Sequence, residues 1–211
     1  MCAGFSRDGF HWHRPDHRAL IPVSETRGDW NWGNVQSAGG CCLVVGDRLY
    51  FYVSGRAGER GSPASSVSTT GLAVLRRDGF ASMGAGDREC SLVTRPVTFR
   101  GKHLFVNVAA EGGELAAEVL DKDGRVIPGL TRDDCVPVRG DSTRAEVTWK
   151  GAGLVRLAGQ AVRFRFYLRH GELYAFWVSP EGTGASHGYV AAGGPGLTGV
   201  TDTVGAKKPV G

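Results

Sequence analysis

Apolar and polar residues alternate with a period of two along most of the chain, and helical periodicity is almost absent. Residues 163–168 read Arg-Phe-Arg-Phe-Tyr-Leu, for example. Such alternation is typical of strands with one buried and one exposed face. Together with the intervening turn residues it predicts strands at residues 41–45, 49–53, 71–76, 92–99, 104–108, 114–120, 144–150, 162–168 and 173–178. The chain is therefore predicted to be all-β.

Sequence composition divides the chain into three parts. Residues 1–86 are rich in Trp, His and short hairpins, and residues 87–179 hold about seven alternating strands, the density of a β-sandwich. Residues 180–211 are dominated by Gly, Pro, Thr and Ala. Because so few of these last residues can build a core, the third part is predicted to be a disordered tail.

Residues 6–12 (SRDGFHW) have the chemistry of a tight turn. The Asp8 side chain can accept hydrogen bonds from backbone N–H groups, and Gly9 tolerates a positive φ. Ser6 can add a second side-chain-to-backbone bond, after which Trp12 would begin the next strand. The Arg-Asp-Gly-Phe core of this segment recurs at residues 77–80, and both copies are predicted to be turns and not catalytic sites.

Residues 6–12 resemble the Asp-box turn of β-propeller glycosidases such as sialidases, with one residue fewer. Residues 71–86 (GLAVLRRDGFASMGAG) resemble the final propeller strand of the glycoside hydrolase 32/43-like group of five-bladed propellers. The second half of the chain is similar to the β-sandwich appended to such propellers, over residues 92–99, 104–108, 118–129, 134–135, 140–142, 147–149 and 173–176. The match runs from about Gly4 to Trp177.

This resemblance implies the last one or two propeller blades in residues 1–86 and an antiparallel β-sandwich in residues 87–179. A five-bladed propeller needs about 250 to 300 residues at four strands per blade. Glycoside hydrolysis needs two carboxylates about 5 to 10 Å apart, and the resemblance places one of them in the first blade. Glu89-Cys90 resembles the acid motif of family 32 only superficially, because it follows the last propeller strand. No catalytic residue is assigned.

Three functions remain open at this point. The first is a fragment or short form of a glycoside hydrolase-like carbohydrate-active protein that is inactive alone. The second is a non-catalytic carbohydrate-binding or scaffolding β-module. The third is a self-sufficient enzyme of unknown type.

Residues 28–37 (GDWNWGNVQS) bring two tryptophans and three side-chain amides into one short loop. Flat aromatic faces suit the C–H surfaces of sugars, and an amide can both donate to and accept from hydroxyl groups. The loop therefore contributes most of the candidate carbohydrate-binding residues, which are Trp30, Asn31, Trp32, Asn34 and Gln36. The alternative is a structural loop in which the tryptophans fill space and the amides satisfy turn backbone.

His11 and His13 complete the candidate binding set, because side chains two residues apart share one face of a strand. The alternative is a surface pair without function. The five cysteines are irregularly spaced and odd in number, which does not suit a disulfide framework. No metal or cofactor is predicted, since phosphate-cradling, dinucleotide-binding and nucleophile-elbow motifs are absent from the sequence.

Charge and hydropathy limit the classes of partner that the chain is expected to bind. The 25 basic and 21 acidic residues are dispersed, which argues against a nucleic-acid partner. No stretch approaches the ~20 apolar residues of a membrane span, and residues 1–4 lack the features of a signal peptide. The sequence therefore predicts no particular cellular compartment. A carbohydrate is the candidate ligand. Self-association is also expected, through the strand edges that a partial propeller would leave unpaired.

Overall fold

The computed structural model describes residues 1–39, 42–57, 68–190 and 192–203. Within these ranges it contains thirteen strands, numbered here in chain order, a 3-10 turn at Leu154–Leu157 and no α-helix. The predicted all-β class is confirmed. In the same ranges, no helix has the length and apolar character to cross a membrane.

The described strands are short in the first part of the chain and longer in the second. Their bounds are β1 Phe5–Ser6, β2 Trp12–His13, β3 Asn34–Ala38, β4 Leu43–Val45, β5 Arg48–Arg56, β6 Ser68–Arg76, β7 Met83–Ala85, β8 Cys90–Val93, β9 His103–Leu120, β10 Cys135–Val136, β11 Val138–Trp149, β12 Arg163–Arg169 and β13 Gly171–Ser179. These strands form sheets of two, four and seven strands, none of which closes on itself.

The chain divides into two compact units, Met1–Leu75 and Arg76–Gly211. This division falls earlier than the predicted boundary after residue 86. The reason is β7, which pairs with β13 through Ala85 and Gly171 and so belongs with the second unit.

The first unit holds the β1–β2 hairpin and the four-stranded sheet of β3 to β6. In that sheet β5 is central, because β3, β4 and β6 all pair with it. The predicted hairpin at residues 46–48 is confirmed: Val45 pairs with Arg48 around Gly46, which has φ +57°. The buried apolar side chains of this sheet are Val35, Val44, Leu49 and Val53.

The second unit is organised around β9. Its first half pairs with β13 from His103 to Ala109, and its second half pairs with β12 from Glu114 to Leu120. The sequence predicts two separate strands here, at residues 104–108 and 114–120, whereas the chain runs through both as one strand. Gly112 and Gly113 lie where the partner changes.

The core of the second unit follows from the alternation in β12 and β13. Phe164, Phe166 and Leu168 are buried on one side of β12. The Phe164 and Phe166 rings pack against Phe176 of β13, with centroid distances of 5.8 and 5.2 Å. The next residue, Trp177, points to the other side of β13, as period-two geometry requires.

Residues 180–190 and 192–203 pack against other residues of the second unit, although the composition of residues 180–211 predicts a disordered tail. Residues 191 and 204–211 of this predicted tail lie outside the described residues. Trp177 Nε1 donates to the Gly184 carbonyl oxygen at 3.0 Å, and Ser179 Oγ donates to the Ala185 carbonyl oxygen at 2.6 Å. Tyr189 and Thr201 form an isolated antiparallel bridge. These anchors are polar and partly backbone-mediated, so the apolar content of the segment does not reveal them.

Candidate carbohydrate-binding site

The turn at residues 6–12 forms through the predicted hydrogen bonds. Asp8 Oδ1 accepts the backbone N–H groups of Phe10 at 2.9 Å and His11 at 2.8 Å. Ser6 Oγ accepts the Gly9 N–H at 2.8 Å, and Gly9 has φ +78°. The Asp8 carboxylate is therefore occupied in holding the backbone of the turn.

Trp12 closes this turn by donating its indole N–H to the Gly9 carbonyl oxygen at 3.1 Å. The second Arg-Asp-Gly-Phe copy is a turn as well, but it is built differently. There Asp78 itself takes the positive φ, +53°, and the Gly79 N–H donates to the Arg76 carbonyl oxygen at 3.0 Å. Side-chain hydrogen bonds to the backbone stabilise the turn at residues 6–12. A positive φ and a backbone hydrogen bond form the turn at residues 77–80.

The two predicted histidines line one open cleft of about 670 Å³. Its lining residues are Phe5, Ser6, Arg7, Asp8, His11 and His13. His11 Nδ1 lies 2.6 Å from Asp8 Oδ2. This contact, followed by the backbone bonds from His11 and Phe10, holds the pKa of Asp8 well below its usual range. The pairing orients the His11 ring, which leaves Nε2 as the ring nitrogen that can meet a ligand hydroxyl or anion.

Binding of a metal ion requires a suitable geometry of His, Cys, Asp or Glu side chains. Throughout the described ranges, no group of three or more His, Cys, Asp or Glu side chains is arranged to hold a metal ion.

Trp30 lies flat on the sheet of the first unit, over two glycines. A Cβ at Gly55 of β5 or at Gly71 of β6 would come within 2.5 or 2.6 Å of Trp30 Cζ3. Thr69 Oγ1 also donates to the Trp30 carbonyl oxygen at 2.8 Å. Trp30 as a whole residue is 37% exposed. Trp30 therefore covers this part of the sheet, and the two glycines are needed because any side chain there would displace the ring.

The structure separates Trp30 from the two amides of β3. Val35 pairs directly with Gly55, so its side chain lies on the face that Trp30 covers. Since neighbouring residues of a strand point to opposite faces, Asn34 and Gln36 lie on the other face. One sugar ring therefore cannot contact Trp30 and this amide pair together.

Asn31 and Trp32 make contacts that stabilise the loop in which they lie. Asn31 Nδ2 donates to the Pro22 carbonyl oxygen at 3.0 Å. The guanidinium of Arg27 lies 5.9 Å from the centroid of the Trp32 ring, within cation–π range. These contacts support the structural alternative for both residues.

Asn34 and Gln36 keep hydrogen-bonding capacity for a ligand. Asn34 Nδ2 donates to Gln36 Oε1 at 3.4 Å. Asn34 Oδ1 and Gln36 Nε2 are the remaining acceptor and donor of this linked pair. The pair lies on what we call the outer face, the side of the four-stranded sheet opposite Trp30. The residues of β5 and β6 that share this face are not among the candidates predicted from sequence, although the alternation of β5 (RLYFYVSGR) indicates those of β5.

Two buried or half-buried glutamates of the second unit are held in ion pairs. Glu89 Oε2 lies 2.6 Å from Arg132 Nη2, so the Glu89-Cys90 motif has a structural partner. Glu118 Oε1 lies 2.6 Å from Arg165 Nη1 and accepts the Tyr167 hydroxyl at 2.9 Å. The Glu118 pair joins β9 to β12, and the Glu89 pair joins the residue before β8 to the loop before β10.

The close fit of Trp30 over Gly71 leads to a testable prediction. Gly71→Ala should lower the free energy of unfolding by about 1–3 kcal/mol, because the new methyl group forces the indole ring off the sheet. Urea unfolding followed by tryptophan fluorescence measures the loss. Gly86→Ala is the control, because a Cβ there meets no atom within 4 Å. Equal stability of the two variants would show that Trp30 does not depend on a bare backbone beneath it.

Comparison of the chain with models of protein families, with curated proteins and with solved structures finds no match. A function for this protein therefore rests on its own residues and on their geometry.

Proposed function

We propose that this chain is the C-terminal part of a glycoside hydrolase 32/43-like protein and that it binds carbohydrate without hydrolysing it. The turn at residues 6–12 supports the relationship, because Ser6 and Asp8 make the expected bonds to backbone N–H groups, Gly9 has the expected positive φ and Trp12 begins β2. The pairing of β3 and β4 with β5 is antiparallel, as it is between neighbouring strands of a propeller blade. The aromatic packing between β12 and β13 suits a β-sandwich core.

The observation that carries the binding function is the linked amide pair, Asn34 and Gln36, on a solvent-facing side of a sheet. Paired amides offer a donor and an acceptor at a fixed spacing, as neighbouring sugar hydroxyls require. The expectation of binding without turnover comes from the resemblance, which places a catalytic carboxylate in an earlier blade. The ion pairs of Glu89 and Glu118 agree with structural roles for these carboxylates.

Two measurements on the purified full chain test this function. A panel of aryl glycosides should show no turnover above the buffer rate, and a glycan array should show retention of at least one oligosaccharide. Gln36→Ala should weaken that retention. Gln160→Ala is the matched control, because Gln160 is an exposed amide of the second unit that binds the Arg156 carbonyl oxygen.

Each half of the proposal can fail by itself. Turnover that a single Asp→Asn or Glu→Gln substitution abolishes would make the chain an enzyme. Failure of every glycan to bind at millimolar concentration would refute carbohydrate binding.

A further inference from the structure

We infer that the outer face of the four-stranded sheet is the carbohydrate site and that it takes a neutral, linear oligosaccharide stacked on Tyr52. The inference rests on the proposed carbohydrate binding and adds the site, the aromatic platform and the ligand class. Tyr52 lies outside the candidate set predicted from sequence.

Strand register assigns the residues of this face. Asn34 pairs with Arg56, and Gln36 pairs with Ser54. Directly opposed residues share a face, and Tyr52 shares it too because it lies two positions from Ser54 in β5. The amides of β3 and the ring of Tyr52 are thus brought to one side by pairing with the same strand.

The position of Gly71 beneath Trp30 shows which residues of β6, the third strand, lie on the outer face. Gly71 of β6 faces Trp30 on the covered side, so its neighbours Thr70 and Leu72 point to the outer face, as does Val74. All three are exposed, and Tyr52 is 52% exposed. The result is an aromatic and aliphatic centre, flanked by amide and hydroxyl groups.

This mixture of groups matches a sugar surface. A pyranose ring presents C–H groups on its face and hydroxyl groups at its edge, which suits an aromatic plane beside amide and hydroxyl side chains. The four strands contain no acidic residue, and their basic residues, Arg48, Arg56 and Arg76, all lie at strand ends. Alternation places Arg48 and Arg56 at the two ends of the outer face. The side chains between them are uncharged, so the centre of the face, where a sugar ring would stack on Tyr52, favours a neutral ligand.

The size of the face favours an oligosaccharide over a second copy of the chain. The nine residues of β5 extend about 30 Å, and three strands abreast are about 14 Å wide. The resulting area of roughly 400 Å² is about half of what each partner contributes to a standard protein–protein interface. The face is long and narrow, as a linear chain of sugars requires.

Calorimetric titration of the full chain with defined oligosaccharides tests the inference. The probes are xylohexaose, arabinohexaose, cellohexaose and mannohexaose, with hexagalacturonate as the acidic comparison. Tyr52→Ala should weaken binding of the best neutral hexamer by roughly tenfold or more, because it removes the stacking surface. Tyr52→Phe should retain most of the affinity, since it keeps the ring.

Tyr189→Ala is the matched control. Tyr189 is the same residue type, is 77% exposed and lies in the second unit, so its loss should leave affinity unchanged. Circular dichroism and the unfolding midpoint of each variant establish that it is folded.

The outcomes separate this inference from the proposed function. Binding that survives Tyr52→Ala leaves carbohydrate binding intact and overturns the assignment to the outer face. Absence of any glycan binding by the wild-type chain refutes both. A preference for hexagalacturonate over all neutral hexamers overturns the neutral ligand class. A concentration-dependent dimer that Tyr52→Ala abolishes would show that a second copy occupies the face, and would also overturn the inference.

Discussion

The Asp202→Asn substitution is expected to lower the free energy of unfolding by about 3 kcal/mol relative to the wild-type chain. Asp202 Oδ2 lies 2.9 Å from Arg77 Nη2, and the Asp202 side chain is only 5% exposed. The same carboxylate accepts the backbone N–H of Ser186 at 3.1 Å and its hydroxyl at 2.9 Å. Removing the Asp202 charge leaves the buried Arg77, among the described residues, with only the more distant, exposed Asp78 carboxylate at 3.8 Å, and removing one charge of a buried pair is strongly destabilising. Urea unfolding at pH 7 measures the loss.

This loss should also depend on pH. Burial raises the pKa of Asp202, but the hydrogen bonds from Ser186 and Arg77 outweigh it, so the pKa lies below the ordinary value of 3.8. A carboxylate with a lowered pKa in the folded state stabilises fully above its unfolded pKa, and that contribution disappears as the pH falls through the folded pKa. The difference between wild type and Asp202→Asn should therefore be largest at neutral pH and shrink below pH ~4.

A surface pair supplies the control for this prediction. Lys122 Nζ lies 2.8 Å from Asp123 Oδ1, but both side chains are largely exposed. Asp123→Asn should change the free energy of unfolding by less than about 1 kcal/mol, as is usual for exposed ion pairs. If Asp202→Asn costs no more than this control, the Arg77–Asp202 pair does not anchor residues 180–203.

Gly113→Ala should cost about 3 kcal/mol of unfolding free energy, because it is an overpacking change against main chain. A Cβ at this position would collide with the Arg169 carbonyl oxygen and lie 2.6 Å from that of His170. Backbone atoms cannot rotate away as a flexible side chain can, so the end of β12 must shift. Denaturant unfolding monitored by far-ultraviolet circular dichroism measures the effect.

The neighbouring glycine is the matched control. A Cβ at Gly112 would meet no atom within 4 Å, so Gly112→Ala should change stability by about 1 kcal/mol or less. Similar losses for both variants would mean that β9 requires glycine for its own conformation where its partner strand changes. A loss confined to Gly113→Ala would assign the requirement to the approach of β12.

Sequence alone determined the parts of this protein that depend on local interactions. The turn at residues 6–12 was predictable because Ser6 and Asp8 bind N–H groups no more than three residues away. The buried side of β12 was predictable because period-two alternation places Phe164 and Phe166 on one face. The residue types of the loop predicted Asn34 and Gln36 as candidate ligand-binding amides. They did not predict that these amides lie on the face of the sheet opposite Trp30.

The features that depend on pairing between residues far apart in the chain were set by the tertiary structure and could not be predicted from local patterns. Residues 104–120 form one strand because β13 and β12 bind its two halves in turn. Residues 180–203 are placed through bonds such as Arg77–Asp202, which joins side chains 125 positions apart (202 minus 77). Trp30 and the pair Asn34–Gln36 lie on opposite faces because register sets Val35 against Gly55. Alternation in one strand fixes which residues share a face, and only the partner strand fixes what that face meets.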